Sequence, residues 1–306
     1  MATPFADRLV PRLRKLGHPL CVGLDPNLAL LPPLFRRGDL APGSPDAAAA
    51  VADFCRAVLD RVAGKVAVVK PQAAFFEALG PRGFEVLNQV VVAARERELL
   101  VILDAKRGDV GSTAEAYAAA YLVRDAPIGA DALTVNPYLG GDALAPFVDA
   151  AAQSGAGLFV LVRTSNPGSA DVQDLDAGGR PLYLRVAESL VDAARRLRAV
   201  ETEWSSLGVV VGATWPEPAQ RVRQVLPRSL FLVPGYGAQG GGAADAVAAF
   251  VPGPDGRLEG GVVSASRSLL FAPEAAEARD AAGWQRAFDA ALARAIGELT
   301  RAVEPA

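Results

Sequence analysis

Leu99-Leu100-Val101-Ile102-Leu103-Asp104-Ala105-Lys106-Arg107-Gly108-Asp109 passes directly from an aliphatic stretch into charge. The aliphatic part reads as a buried strand, and Asp104, Lys106 and Asp109 bring charges of alternating sign to its carboxyl end. Charges in that position are costly unless they pair or take part in chemistry. Side chains alternate along a strand, so Asp104 and Lys106 share one side and set each other's charge state. The run marks a functional site at a strand end.

The same pattern recurs through the chain. Short apolar runs fall at Leu20–Leu24, Val66–Val69, Leu99–Leu103, Ala132–Val135, Leu158–Val162, Gly208–Val211, Leu230–Val233 and Val262–Val263. Stretches with helical patterning separate most of them: Asp46–Val62, Arg82–Glu98, Ser112–Leu122, Ala143–Gln153, Pro181–Ala199, Glu217–Leu226 and Gly283–Thr300. Eight strands with helices between most neighbours predict parallel pairing and a closed (β/α)8 barrel over residues 1–306 as one domain. A doubly wound sheet is the alternative. Long loops are expected at Pro26–Pro45 and Ser165–Gly179. Polar residues follow nearly every run: Asp25, Lys70, Asp104 with Lys106, Asn136, Arg163-Thr164-Ser165-Asn166, Pro234-Gly235-Tyr236-Gly237 and Ser264-Ala265-Ser266-Arg267. In barrel enzymes the active site is built from those carboxyl-end loops.

Composition narrows the chemistry. The 306 residues carry a net charge of −3, which offers no basic footprint for nucleic acid. No apolar run reaches membrane-spanning length, and the N-terminus lacks a secretion signal, which predicts a cytoplasmic protein without a membrane partner. Cys21 and Cys55 read as reduced, packed thiols. The single histidine, His18, sits in a turn before the first strand and reads as an ordinary surface residue. One histidine argues against a Ser-His-Asp triad, a His-rich zinc site or a histidine base. Only four lysines (Lys15, Lys65, Lys70 and Lys106) stand among 31 basic residues. A lysine kept at a strand end is therefore informative, because a compact ammonium does what guanidinium cannot.

The run Pro234-Gly235-Tyr236-Gly237-Ala238-Gln239-Gly240-Gly241-Gly242 contains a G-x-G-x-x-G match. It follows the seventh strand rather than the first, and no strand ending in a ribose-binding acid follows at the right distance, which counts against a dinucleotide site. Backbone amides there read better as a phosphate cradle, with Arg267 after the eighth strand as a fork for phosphate oxygens. Lys70, Asp104, Lys106 and Asp109 form an alternating set that suits an anionic substrate and proton delivery. Lys106, flanked by carboxylates, is the natural acid. Metal binding by Asp104 and Asp109 would crowd a dication against two lysines.

Leu103-Asp104-Ala105-Lys106-Arg107-Gly108-Asp109-Val110 with Thr113 resembles the signature of the orotidine 5′-phosphate decarboxylase family. Gly23-Leu24-Asp25-Pro26, Lys70, Thr164-Ser165-Asn166-Pro167, Pro234-Gly235-Tyr236-Gly237-Ala238-Gln239-Gly240 and Arg267 match in order and strand position. The longer loops are similar to those of the family's longer-chain (type 2) subgroup. The resemblance implies decarboxylation of orotidine monophosphate to uridine monophosphate in de novo pyrimidine synthesis, with no metal or organic cofactor. It implies a homodimer with shared active sites, Asp109 and Thr113 reaching into the partner's. It also implies that Asp25 and Lys70 hold ribose hydroxyls and that Asp104 lies against the departing carboxylate. Lys106 would stabilise the C6 carbanion and protonate it. Thr164, Ser165 or Asn136 would contact the pyrimidine. Pro234, Gly235, Gly237, Gln239, Gly240 and Arg267 would surround the phosphate.

Two rivals differ in class. A magnesium-dependent sugar-phosphate decarboxylase or aldolase of the same superfamily would carry an acid at the second-strand position, where this chain has Lys70. A non-catalytic nucleotide-binding regulator would have no need of the full charged set.

Overall fold

A computed structural model describes residues 2–123, 125–237 and 239–305. Eight parallel strands close into a barrel in chain order: β1 (Leu20–Leu24), β2 (Val68–Pro71), β3 (Leu100–Arg107), β4 (Ala132–Val135), β5 (Gly157–Arg163), β6 (Ser205–Val211), β7 (Ser229–Val233) and β8 (Gly261–Ala265), with β8 returning to β1. The predicted (β/α)8 barrel is therefore the fold. β1 and β4 have the expected bounds, and the other strands differ by a few residues at one or both ends.

Alternation along the strands sorts side chains into two cores. Val101 and Leu103 face outward into the layer between barrel and helices. Leu100 and Ile102 face inward, where they meet Cys21, Val68, Ala132, Phe159, Val210, Leu232 and Val262. Continuing the inward parity leads from Cys21 toward Asp25, from Val68 to Lys70, from Ile102 to Asp104, from Ala132 to Thr134 and from Val262 to Ser264. The interior is apolar at the bottom and polar at the carboxyl end.

A helix absent from the sequence reading, Phe5–Leu16, plugs the amino end of the barrel. Phe5, Leu9 and Val10 enter the inner core, and the Phe5 ring meets Phe159 edge-on with centroids 6.0 Å apart. Gly157 makes room for it, since a Cβ there would lie 2.6 Å from the ring. The helix is tied down by the Asp7 carboxylate, which accepts from the Thr202 amide at 2.8 Å and the Thr202 hydroxyl at 2.7 Å.

Other departures concern helices and loops. The expected helix Pro181–Ala199 is two, Leu182–Ser189 and Val191–Arg196, separated at Leu190. The first expected loop contains 3-10 turns at Leu28–Leu30 and Pro33–Phe35. The second contains Pro167–Ser169 and the short helix Ala170–Gln173. The helix expected from Asp46 begins at Pro45, with the Ser44 hydroxyl accepting from the Ala47 amide at 3.0 Å as its cap. His18 is buried, not on the surface. Its Nε2–H donates to the Lys65 carbonyl (3.0 Å) and its Nδ1 accepts from the Leu20 amide (3.3 Å). Both cysteines are free and buried, and burial raises the Cys21 thiol to about 12. Among the described residues no helix is long and apolar enough to cross a membrane.

Candidate active site

A cavity of about 390 Å3 opens at the carboxyl end of the barrel. Its polar floor comes from β2 and β3. Asp104 receives the Lys70 ammonium on Oδ2 at 2.7 Å and the Lys106 ammonium on Oδ1 at 2.6 Å. Two neutral donors complete its coordination: Gln72 Nε2 to Oδ2 at 3.1 Å and Thr134 Oγ1 to Oδ1 at 3.0 Å. Lys70 and Asp104 are 5% and 7% exposed, whereas the Lys106 side chain is 45% exposed and open to the cavity. Burial alone would raise the Asp104 pKa, but the charges of Lys70 and Lys106 outweigh it and hold the carboxyl well below the usual range. Burial likewise acts to lower Lys70, and Asp104 with Asp25 reverses it, so Lys70 is held firmly as an ammonium.

Local backbone explains how both ends of Asp104-Ala105-Lys106 reach one cavity. The β3–β4 register shifts here: Leu103 faces Leu133 and Arg107 faces Val135, four residues on β3 spanning two on β4. Such irregularities re-aim side chains beside active sites. Lys106 takes φ +49°, in the left-handed region. Arg107, next in the run, turns away to pair with Glu77 and lies 5.5 Å from the Tyr117 ring centroid.

The walls come from the loops after β5, β7 and β8. Thr164, Ser165, Asn166, Pro234, Gly235, Tyr236, Gln239, Ser264, Ser266 and Arg267 line the cavity with Asp25. Asp25 Oδ1 and Ser266 Oγ are buried without a partner among the described residues, so both are available to a polar ligand. The Thr164 hydroxyl is engaged, donating to Asn166 Oδ1 at 2.7 Å and accepting from Gln173 Nε2 at 2.9 Å. No side-chain hydrogen bond holds the Ser165 hydroxyl among the described residues.

The glycine loop after β7 is closed on itself. Gly237 N–H donates to the Gly241 carbonyl (3.0 Å), Gly240 N–H to Gly237 (2.9 Å) and Gly241 N–H to Gly235 (3.1 Å). Three amides of the expected phosphate cradle are thus occupied within the loop. Gly237 and Gly240 are exposed and lie outside the cavity lining, whereas Gly235, Gln239 and Arg267 lie on it. Ala238, in the middle of that run, lies outside the described residues.

Three more expected residues stand apart. Asn136 is exposed, and its side chain accepts from the Tyr138 amide at 3.0 Å. Asp109 accepts from the adjacent Val110 amide at 2.8 Å, and Thr113 is exposed on the helix Gly111–Tyr121. The structure therefore joins Lys70, Asp104 and Lys106 but leaves Asp109 outside its own chain's cavity. Conversely, the sequence reading passed over Gln72 and Thr134 and named Ser264 and Ser266 only as strand-end polar residues without a role. All four carry the inward parity of their strands, which is the signal that could have found them.

The fold and site define a barrel enzyme whose centre is a carboxylate clamped between two ammonium groups, with Gln239 and Arg267 on the same cavity's lining. The chain belongs to the orotidine 5′-phosphate decarboxylase / HUMPS family, whose model matches residues 18–282. It is 46% identical over 294 residues to an orotidine 5′-phosphate decarboxylase of Rhodopirellula baltica, covering 94% of this chain and 96% of that one. It is 44% identical over 282 residues to one of Roseiflexus castenholzii, covering 89% and 93%. The solved OMP decarboxylase of Leishmania donovani superposes with a TM-score of 0.76 at 31% identity, over 99% of this chain and 100% of that one.

Proposed function

We propose that this protein is a carboxy-lyase of pyrimidine biosynthesis that converts orotidine 5′-phosphate to uridine 5′-phosphate and CO2. We further propose that it works without metal or organic cofactor, as a cytoplasmic homodimer of single-domain barrels. The observation that carries the reading is the Lys70–Asp104–Lys106 clamp. A lysine at the end of β2 occupies the position where magnesium-dependent relatives place an acid. Both oxygens of Asp104 are already bound by ammonium groups, which leaves that carboxylate poorly suited to a dication.

The chemistry follows from charge. Gln239 and Arg267 grip the phosphate, and Asp25 with Lys70 holds ribose hydroxyls, so binding energy remote from the base positions the reacting carbon. Ser165 rather than Thr164 offers its hydroxyl to the pyrimidine, because Thr164 is held by Asn166 and Gln173. The substrate carboxylate lies against Asp104. When the C6–carboxylate bond breaks, CO2 leaves and the electron pair stays on C6. The Lys106 ammonium faces that developing charge and then transfers its proton to C6, regaining one from solvent. A preorganised cation aimed at a developing anion is the expected main contribution to such a rate enhancement. Asp109 and Thr113 serve the second copy's site. Exposed Val110, Tyr138 and Leu139 in the neighbouring loops supply apolar surface for that contact.

The test is turnover of orotidine 5′-phosphate by EDTA-treated protein, followed by loss of substrate absorbance. Turnover in the chelated state is expected. No turnover, or turnover only after magnesium is added, overturns the reading.

A further inference from the structure

We infer that Thr134 is a positioning residue for this reaction, one hydroxyl fixing both the Asp104 carboxylate and the Lys106 backbone; the inference rests on the function proposed above. Thr134 lies on β4, inside the barrel, and is 0% exposed. Its Oγ1 accepts the Lys106 amide proton at 2.9 Å and donates to Asp104 Oδ1 at 3.0 Å. A hydroxyl has one proton and two lone pairs. The Lys106 amide can only donate, so the hydroxyl's own proton is left for the carboxylate.

These contacts close a ring. Lys106 N–H binds Thr134, Thr134 binds Asp104 Oδ1, and the Lys106 ammonium returns to the same Oδ1 at 2.6 Å. Lys106 is therefore held at both ends, backbone and side chain, around one oxygen. The ring forms where β3 departs from regular pairing with β4, so the Thr134 hydroxyl takes over the Lys106 amide. It also holds a residue at φ +49°, a conformation that side chains bearing a Cβ populate sparsely and that surrounding contacts must maintain.

Thr134 is not itself among the residues that line the cavity, but it bonds two that are, Asp104 and Lys106. Its effect passes through the proton donor and the carboxylate beside it. A packing role would depend on its methyl group and shape; the positioning role depends on the hydroxyl. Thr134→Val keeps the shape and removes the hydroxyl, while Thr134→Ser keeps the hydroxyl and removes the methyl.

Two readouts separate the outcomes. For Thr134→Val, kcat is expected to fall about tenfold or more with KM changed by less than about twofold, whereas Thr134→Ser stays within about threefold of wild type in kcat. Labelling with 15N-lysine marks only four backbone amides, and exchange at Lys106 alone is expected to quicken about tenfold in Thr134→Val. Wild-type kcat in Thr134→Val, equal loss in the serine and valine variants, or unchanged Lys106 exchange overturns the inference. If valine prevents folding, Thr134→Ser against Thr134→Ala makes the same comparison. Retained kcat in serine alone supports the role, and equal loss in both refutes it. Failure of the wild type to turn over the substrate refutes the proposed function instead, while the exchange measurement still judges the clamp.

Discussion

Arg163 places its guanidinium 3.9 Å from the ring centroid of Trp215 while wholly buried at the end of β5. The pair anchors the loop that supplies one wall of the site. Arg163 also reaches Asp174 at 2.8 Å, Gln173 at 3.3 Å and Ser169, and the Trp215 indole N–H donates to the Thr164 carbonyl at 3.0 Å. Thr164, Ser165 and Asn166 therefore owe their position to a residue that is not itself on the cavity lining. Arg163→Met keeps bulk but loses the fork and the stack. We expect a loss of about 2–3 kcal/mol in folding stability and a KM several-fold higher. We also expect new proteolytic cleavage between residues 164 and 174. Urea unfolding, steady-state kinetics and limited proteolysis measure the three; unchanged values would mean the loop is held by other contacts.

Lys106→Ala separates binding from chemistry. The ammonium faces the cavity, whereas Asp25, Gln239 and Arg267, the residues proposed for ribose and phosphate, line it from other strands. The expected outcome is loss of at least about a thousandfold in kcat, with UMP binding still measurable by calorimetry. Turnover near the wild-type rate would remove Lys106 from its role.

How far the sequence showed all this depends on which rule each residue obeys. The inward series Leu100, Ile102, Asp104 is pure alternation, and it made β3 and its charges readable without coordinates. Gln72 and Thr134 obey the same parity. They were missed because an amide and a hydroxyl after or within apolar runs carry no charge to mark them. Arg163 was read only as a strand-end polar residue, since nothing local says that an arginine will be buried under a tryptophan distant in sequence. The helix Phe5–Leu16 precedes the first strand, where the βα alternation makes no demand for one. In the glycine loop, composition suggested a backbone cradle for phosphate. It did not reveal that the amides of Gly237, Gly240 and Gly241 would bond within the turn.

The clamp at Asp104 predicts a particular stability profile. Asp104 is held below its ordinary pKa, so its contribution is present above about pH 4 and fades as pH falls below that value. Lys70 is held above its ordinary pKa, so its contribution is present below about pH 10 and fades as pH rises beyond it. The stability difference between wild type and Asp104→Asn should therefore be broadest and largest between these limits, about 3 kcal/mol, and shrink at both ends. Denaturant melts from about pH 2 to about pH 12 give the profile directly. A difference that grows on acidification would contradict the assigned charge states.

His18 predicts a second, separate dependence. Burial lowers its pKa despite the opposing Lys65 carbonyl, and a proton added to Nδ1 would meet the Leu20 amide that now donates there. Its contribution is fully present above about pH 6.5 and is lost as pH falls toward the lowered folded value. Wild type should lose stability as pH falls below about 6.5, and His18→Leu should show a flatter slope over the same range. Because the chain has one histidine, its ring proton resonances report the titration without assignment. A folded-state midpoint above the ordinary value would refute the direction.

Gly235 tests whether the loop after β7 serves the phosphate. It has φ +97°, and a Cβ would lie 3.2 Å from Gln239 Oε1 and 3.3 Å from Ser165 Cβ. Gly235→Ala therefore adds backbone strain of about 1–2 kcal/mol and presses on Gln239, a residue assigned to the phosphate. The strain lowers stability whatever the ligand, but displacement of Gln239 matters only to a substrate that carries the phosphate. We expect KM for orotidine 5′-phosphate to rise about tenfold. Turnover of orotidine, which lacks the phosphate, should keep its wild-type kcat/KM. Equal losses with both substrates would place the damage at the pyrimidine wall through Ser165, and the phosphate would then have to be held by Arg267 without Gln239.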